Sequence, residues 1–432
     1  MASLFWFSIF MIFYAYFGYP LCLYALSLVR SSWSRSTRNF PDPTDPMDTT
    51  NPSNASNPVN PSNPMLTFII TAYNEEKRIR EKIENSLSLD YPRDKLEIIV
   101  ASDCSSDHTD EIVKSYSDKG VRLVRSPERK GKEHAQKLAV SEAKGDILVF
   151  SDVATIIEPD GLKNIVANFE DPSVGCVSSV DKFINPDGSI SGEGAYVKYE
   201  MFLRSLESRV NTLVGLSGSF FAARKEVCQN WAEDLQSDFN TVLNSVKIGM
   251  KGISDPKTVG YYKNIQDEKK EFDRKVRTVL RGISVLMRNL SLLNPFKYGL
   301  FSWQLFSHKL CRWLVPFFLI LSFVTCGILS FSSPFYLVLF LLQLAFYSIA
   351  LYYHLTRHSS PVTSHPATSN SSPVTGHSSL GKASQPSSFP ASKAQNYFKL
   401  PYYFASVNAS ILVDWFKYLR GERATFWQPS QR

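Results

Sequence analysis

The chain has 432 residues, with 47 Lys and Arg against 40 Asp and Glu, for a formal charge of +7. That length holds one large catalytic domain plus membrane segments. So diffuse a basic excess suits a membrane-facing or phosphate-binding protein and argues against a nucleic-acid partner. The cysteines Cys22, Cys104, Cys176, Cys228, Cys311 and Cys326 form no Cys-x-x-Cys and accompany no paired histidines. This spacing argues against a zinc or disulfide framework and predicts reduced thiols.

Residues 3–29 carry no charged side chain, which is about the length that crosses a hydrocarbon core as a helix. The segment lacks the basic start and shorter apolar core of a cleavable signal, so residues 1–30 read as a retained anchor. Arg30, Arg35 and Arg38 follow directly, and the positive-inside bias then places the next domain in the cytoplasm. Residues 31–64, rich in Pro, Asn, Ser and Asp, read as a disordered linker. Glycosylation-like sequences at Asn54 and Asn370 fall in such tethers, where a cytoplasmic location would make them meaningless.

From Met65 the element types alternate. Leu66–Ile70, Leu96–Val100, Val121–Val124 and Ile147–Phe150 read as strands. Helices are expected around Lys77–Leu87, Thr109–Ser117 and Glu133–Ala143. Strand–helix alternation with short loops predicts a parallel sheet with helices on both faces. Cys176–Ser179 and Ser219–Ala223 look like later strands, so the domain spans 65–265.

Residues 266–312 form the expected interface helices. Within them, Phe272–Arg288 mixes basic and apolar residues at helical spacing, suiting either an anionic membrane surface or packing on the domain. Trp313–Phe331 and Phe335–Tyr353, separated by Ser332-Ser333-Pro334, read as a transmembrane hairpin over 313–354. Residues 355–395 are rich in Ser, Pro, Thr and His and read as disordered. The last segment, 396–432, is membrane-associated. Its apolar run Leu400–Leu412 is read as interfacial or re-entrant, because spanning would put Arg420 and Arg423 on the outer side.

The chemistry-bearing residues follow strand ends, where open α/β sheets bind ligands. Thr71-Ala72-Tyr73-Asn74-Glu75 follows the first strand. It can receive a nucleotide, with Tyr73 stacked on the base, or serve only as a helix cap by Asn74. Asp103 follows the second strand in a Ser- and Asp-rich turn and can accept from a base N–H or a ribose hydroxyl. Arg129-Lys130-Gly131-Lys132 suits a diphosphate; the other reading is a solvated basic turn. Asp152 ends the fourth strand in Asp-x-Ala, with Ala154 where a second carboxylate would complete an Asp-x-Asp pair.

These pieces, in this order from Thr71 to the hairpin, resemble a membrane-bound family 2 glycosyltransferase of the GT-A type, like the cellulose, hyaluronan and poly-N-acetylglucosamine synthases. The resemblance implies an α/β fold: a Rossmann-like nucleotide-diphospho-sugar transferase with a mixed sheet, helices on both faces, and transmembrane helices. It implies that Thr71, Ala72, Tyr73, Glu75, Asp103, Lys132 and Asp152 bind the donor. Asp152 falls on the first aspartate of the metal motif, so Mg2+ or Mn2+ is the implied cofactor, with Ala154 departing from the pattern. Gly218, in Gly215-Leu216-Ser217-Gly218-Ser219, matches an acceptor-side loop. Asp238 matches the general base that takes the acceptor proton, with a helix N-cap as the other reading and Asp234 as the nearest rival. Arg312 and Trp313, in Ser307-His308-Lys309-Leu310-Cys311-Arg312-Trp313, match the Arg-Trp of a Gln-x-x-Arg-Trp motif, with Lys309 at the glutamine.

The implied activity is inverting transfer of a hexosyl or N-acetylhexosaminyl group. The donor would be a nucleoside-diphosphate sugar, with uridine the expected nucleoside, and the acceptor a lipid-linked glycan or polysaccharide. The location would be the cytoplasmic face of the inner or plasma membrane. Single addition to a glycolipid, or a non-catalytic membrane scaffold on the same fold, are the rival readings.

Overall fold

The structure, a computed structural model, describes residues 1–37, 63–184, 195–263, 268–358 and 393–423. Asn54 and its linker, Asn370 and the Ser- and Pro-rich stretch lie outside the described residues. The chain divides into two compact units, one made of Met1–Ile12 with Val315–Val413, the other of Phe13–Leu314 with Asp414–Arg432.

It opens with α1 (Ala2–Phe13) and α2 (Tyr19–Thr37), with a π-helical turn at Tyr14–Gly18. An α/β domain follows: β1 (Leu66–Ala72), α3 (Ile79–Leu87), β2 (Leu96–Ser102), α4 (Thr109–Lys114), β3 (Val121–Arg125), α5 (Lys132–Glu142) and β4 (Ile147–Asp152). Then come β5 (Ile156–Ile157), α6 (Gly161–Ala167), β6 (Val174–Ile184), α7 (Ala195–Val210), β7 (Phe220–Arg224), α8 (Ser237–Lys247) and β8 (Lys251–Lys263). After it lie α9 (Glu268–Arg288), α10 (Pro295–Tyr298), α11 (Leu300–Leu305), α12 (Arg312–Ser330), α13 (Pro334–His358) and α14 (Lys393–Leu419).

Among the described residues, eight strands join one sheet in the order β3-β2-β1-β4-β7-β6-β8-β5. β1 is fully buried, which is why it reads as an unbroken apolar run. Leu66, Phe68 and Ile70 point to one face and join Ile79 and Ile83 of α3 in the core. On another part of the sheet Phe150 stacks on Phe221 and Trp231, each at 4.8 Å between ring centroids. The buried residues of α3, Ile79, Lys82, Ile83 and Ser86, recur at three- and four-residue intervals, the spacing of one helix face. One of them is a lysine.

The sheet is mixed. β3, β2, β1 and β4 run parallel, while β7 runs antiparallel to both β4 and β6. The chain leaves β1 toward β2 and β3, then returns to its other side with β4, so a ligand crevice is expected at the carboxyl ends of β1 and β4. Reversal at β7 matters for that crevice. Because Phe220 at the start of β7 pairs with Ser151 near the end of β4, the loop before β7 arrives beside Asp152.

Among the described residues, three helical stretches, Ala2–Arg30, Leu300–Ser330 and Pro334–Thr356, are long and apolar enough to cross a membrane. In the first unit, aromatic rings supply much of the packing: Phe5 meets Tyr336 edge-on at 5.6 Å and Phe323 meets Phe340 at 5.1 Å. In the second, α9 packs on the α/β domain through its carboxyl half. Arg281 pairs with Glu133, Arg288 with Asp234, and Ile283 and Leu286 are buried.

Candidate active site

The two loops that follow β1 and β2 are stitched together. Asn74 adopts φ 51° and Cys104 φ 57°, the left-handed region that asparagine tolerates better than most residues. Asn74 Oδ1 accepts from Ser106 N at 2.8 Å, Glu75 N donates to Thr109 Oγ1 at 2.8 Å, and Glu76 N donates to Asp107 Oδ2 at 3.1 Å. Asn74 therefore caps no helix: α3 begins at Ile79, after Arg78. Glu75 is buried and paired with Arg78 at 2.7 Å. Burial raises its carboxyl above the usual range, against the lowering effect of Arg78. Arg129 lies over the Tyr73 ring at 4.0 Å, a cation–π geometry.

Asp103 is fully buried. Its Oδ1 accepts from the backbone N–H of Lys130 and of Gly131, each at 3.0 Å, and its Oδ2 accepts from Gly131 N at 3.0 Å. Gly131 has φ 104°, a conformation that favours glycine. Burial raises the Asp103 carboxyl, opposed by those two N–H donors and by Arg129. Asp103 thus fixes the turn that leads into α5.

Lys132 is the first residue of α5. Its ammonium donates to Asp152 Oδ1 at 2.5 Å and to the Gly218 carbonyl at 2.8 Å. Asp152 stands opposite Thr71 in the β1–β4 register, and its own N–H donates to Ser219 O at 3.0 Å. Thr71 is buried and its Oγ1 has no hydrogen-bond partner. Beneath Asp152 lies Lys82, fully buried, whose Nζ donates to Ser151 Oγ at 2.8 Å and Thr155 O at 2.7 Å. Burial lowers its ammonium from 10.5 to about 7, against the opposing pull of Asp152.

Asp238 lies in the first turn of α8, whose N-cap position is Gln236. Its Oδ2 accepts from Gln236 Nε2 at 3.1 Å and its Oδ1 from Phe239 N at 2.8 Å. A Cβ on Gly218 would stand 2.7 Å from Asp238 Oδ2, so only a glycine lets the loop lie against this carboxylate. Lys132, Asp152, Gly218 and Asp238 thus form one continuous line of contacts, and Asp103 holds the Lys130–Gly131 turn that leads into it. Asp234 is held away from it by its ion pair with Arg288.

Arg312 and Trp313 stand at the start of α12. Arg312 pairs with Glu200 of α7 at 2.7 Å. Burial pushes the Glu200 carboxyl up, but Arg312 and His308 outweigh it and hold it well below the usual range. Trp313 is wedged against Gly282, where a Cβ would come within 2.9 Å of its ring, and meets Phe239 edge-on at 6.4 Å.

Sequence reasoning did not identify α7 and its acidic face. Glu207 is buried, accepts from Tyr19 OH at 2.7 Å, and lies 2.6 Å from His308 Nδ1. The helical spacing of Leu203, Leu206 and Val210, all buried, is the signal that could have revealed α7. No comparable signal marks Lys82, because a lysine on an apolar helix face reads as solvated.

A divalent ion would have to take its ligands from this donor set. Asp152 offers one carboxylate, engaged by Lys132, and Ala154 offers none. Among the described residues no group of three His, Cys, Asp or Glu is placed to hold an ion. These residues do not fit a divalent ion held by protein carboxylates.

Residues 67–231 match Glycosyl transferase family 2. The chain is 29% identical over 196 residues to the poly-beta-1,6-N-acetyl-D-glucosamine synthase of Staphylococcus aureus (strain COL), taking in 43% of this chain and 46% of that protein. It is 25% identical over 178 residues to the synthase of the same description from Staphylococcus epidermidis, with 39% and 42% covered. It therefore spans less than half the length of these curated relatives. A solved mannosyltransferase from Pyrobaculum calidifontis, in complex with GDP-Man and Mn2+, shares the fold with a TM-score of 0.61. That likeness has 21% identity and covers 97% of this chain and all of the other. The chain thus carries a family 2 glycosyltransferase domain of the GT-A type, alongside helices long and apolar enough to span a membrane.

Proposed function

We propose that this protein is an integral-membrane, inverting glycosyltransferase. It moves a hexosyl or N-acetylhexosaminyl group from a nucleoside-diphosphate donor, with uridine the expected nucleoside, to a lipid-linked or polysaccharide acceptor at the cytoplasmic membrane face. The observation that carries the reading is Lys132, which joins Asp152 on the donor side to Gly218 on the acceptor side, with Gly218 pressed on Asp238.

The nucleotide lies against the Thr71–Glu75 loop and the Lys130–Gly131 turn that Asp103 holds, with Tyr73 available to the base. Lys132 and Arg312 offset the negative charge that grows on the diphosphate as the glycosidic bond breaks. Asp152 fixes Lys132 and meets the ribose side of the donor. Asp238 removes the proton of the acceptor hydroxyl as that oxygen attacks the anomeric carbon opposite the leaving group, which inverts its configuration. Trp313, held by Gly282 and Phe239, offers a flat apolar face for an acceptor sugar.

A donor panel with detergent-solubilised protein, read by released nucleoside diphosphate, tests the activity. Asp238→Asn should abolish transfer and leave donor binding nearly intact; loss of both together would assign Asp238 a structural role. Single addition to a glycolipid is the second reading, favoured by Lys309 at the glutamine position of the Gln-x-x-Arg-Trp pattern. Product chain length separates the two.

A further inference from the structure

Two cations at the acceptor-side loop are left without carboxylate partners. Lys309 Nζ would be 3.5 Å from a Cβ on Gly215 and lies over the Phe239 ring at 5.2 Å. Phe239 directly follows Asp238. No hydrogen-bond acceptor or ion-pair partner meets the Lys309 ammonium among the described residues. Arg204, from α7, donates to Leu216 O at 3.2 Å and to Ser178 Oγ at 3.5 Å, both neutral groups. Lys309 and Arg204 therefore converge on Gly215 and Leu216 from two different helical segments.

The surrounding carboxylates are already committed. The charges that act on Lys309 are Glu200, Glu207, Arg204 and Arg312. Glu200 pairs with Arg312 and Glu207 with His308 and Tyr19. Three cations, Lys309, Arg204 and Arg312, thus face two carboxylates, and neither carboxylate is paired with Lys309 or Arg204. Holding unpaired cations in a partly desolvated place is costly unless an anion arrives to compensate them. The anion that suits two separate N–H donors, one a planar guanidinium, is a phosphate group.

We propose that Lys309, with Arg204 beside it, binds a phosphate oxyanion at the mouth of the acceptor-side loop. The inference rests on the transferase reading only for the two sources that phosphate can have. One is the diphosphate leaving the donor, the other the phosphate of a lipid-linked acceptor. A lysine in place of glutamine then adds charge recognition to a position that otherwise offers neutral hydrogen bonds.

The test uses the full-length protein in detergent or nanodiscs, with Lys309→Gln, Lys309→Arg and Arg204→Gln. Binding of UDP is followed by tryptophan fluorescence, and binding to phosphatidylcholine vesicles with and without polyprenyl phosphate by co-flotation. A charge-assisted hydrogen bond contributes about 1.5–3 kcal/mol, so Lys309→Gln should weaken the relevant ligand about 10- to 100-fold while Lys309→Arg stays near wild type. Weakened UDP binding assigns the site to the diphosphate; weakened flotation with polyprenyl phosphate assigns it to the acceptor. Unchanged affinity for both ligands in Lys309→Gln and Arg204→Gln overturns the proposal. Neither readout needs turnover, so a wild-type protein that binds UDP but transfers nothing would fail the transferase reading and leave this one standing. Should Lys309→Gln not fold, Arg204→Gln and the arginine variant carry the comparison.

Discussion

Gly218 and Asp238 are in contact at a distance that no side chain on Gly218 would permit: an added Cβ would sit 2.7 Å from the carboxylate oxygen Oδ2 and 3.4 Å from its carbon. The loop that meets the acceptor and the group placed to take its proton are thereby set by one another. Gly218→Ala should push the Asp238 carboxylate off its position while leaving the donor pocket in place. The expected result is a fall in kcat of about 10²-fold with little change in donor affinity, since a positioned general base contributes roughly 10²–10⁴. Equal losses in kcat and donor affinity would mean that Gly218 serves the whole loop and not the carboxylate.

Lys132 carries the next prediction. Its ammonium sits on Asp152 at 2.5 Å and on the Gly218 carbonyl at 2.8 Å, where a positive charge can meet a diphosphate. Lys132→Met should weaken nucleoside-diphosphate binding about 10- to 100-fold, the value of a charged hydrogen bond. With that ammonium in place, chelator should reduce wild-type transfer by less than about threefold. Ala154→Asp, which restores the second carboxylate, should make activity respond to Mn2+. Complete loss of wild-type transfer in chelator, recovered by Mn2+, would show that a metal and not Lys132 supplies the charge.

Much of this site could be read in the sequence because its residues follow strand ends. Asp103 and Asp152 stand after continuous apolar runs, and Asp238 stands at the start of a helix. What could not be read was who touches whom. Asp103 reads as a ligand-facing carboxylate, yet it is buried and spent on two backbone N–H groups. β8 escaped the sequence reading, because Asp255 and Pro256 interrupt its pattern. There the β6–β8 register shifts between Ser178 and Val180, and Asp255 Oδ2 accepts from Thr258 Oγ1 at 2.6 Å. α7 was missed because its acidic residues look like a solvated face. Glu200 and Glu207 instead turn inward to Arg312, His308 and Tyr19.

That inward face predicts that the first helices are more than an anchor. Tyr19 of α2 donates to buried Glu207, which also holds His308, and Trp303 Nε1 donates to Tyr14 OH at 2.8 Å. Deleting residues 1–30 should not release a soluble active domain. Glu207→Gln should destabilise the protein by about 1.5–3 kcal/mol, the value of a hydrogen bond to a charged group, and Tyr19→Phe by about 1 kcal/mol, one hydrogen bond. Thermal unfolding in detergent measures both. A truncated protein with full activity and an unchanged melting point would contradict the assignment.

Lys82 predicts how stability varies with pH. In the folded protein burial holds its ammonium at about 7, against 10.5 ordinarily. Between these values the unfolded chain binds a proton that the folded chain does not. Stability therefore rises with pH across that window, and below its lower edge the full penalty of burying the charge is present. The wild-type melting point should climb from about pH 7 to about pH 10, and Lys82→Met, which keeps an apolar side chain beside Phe68, should flatten the climb. The buried Glu75 and Asp103, whose carboxyls burial raises, are the control groups. Glu75→Gln and Asp103→Asn should leave the slope above neutrality as it is in the wild type. If the slope survives in Lys82→Met and disappears in either carboxylate variant, the titrating group is not Lys82.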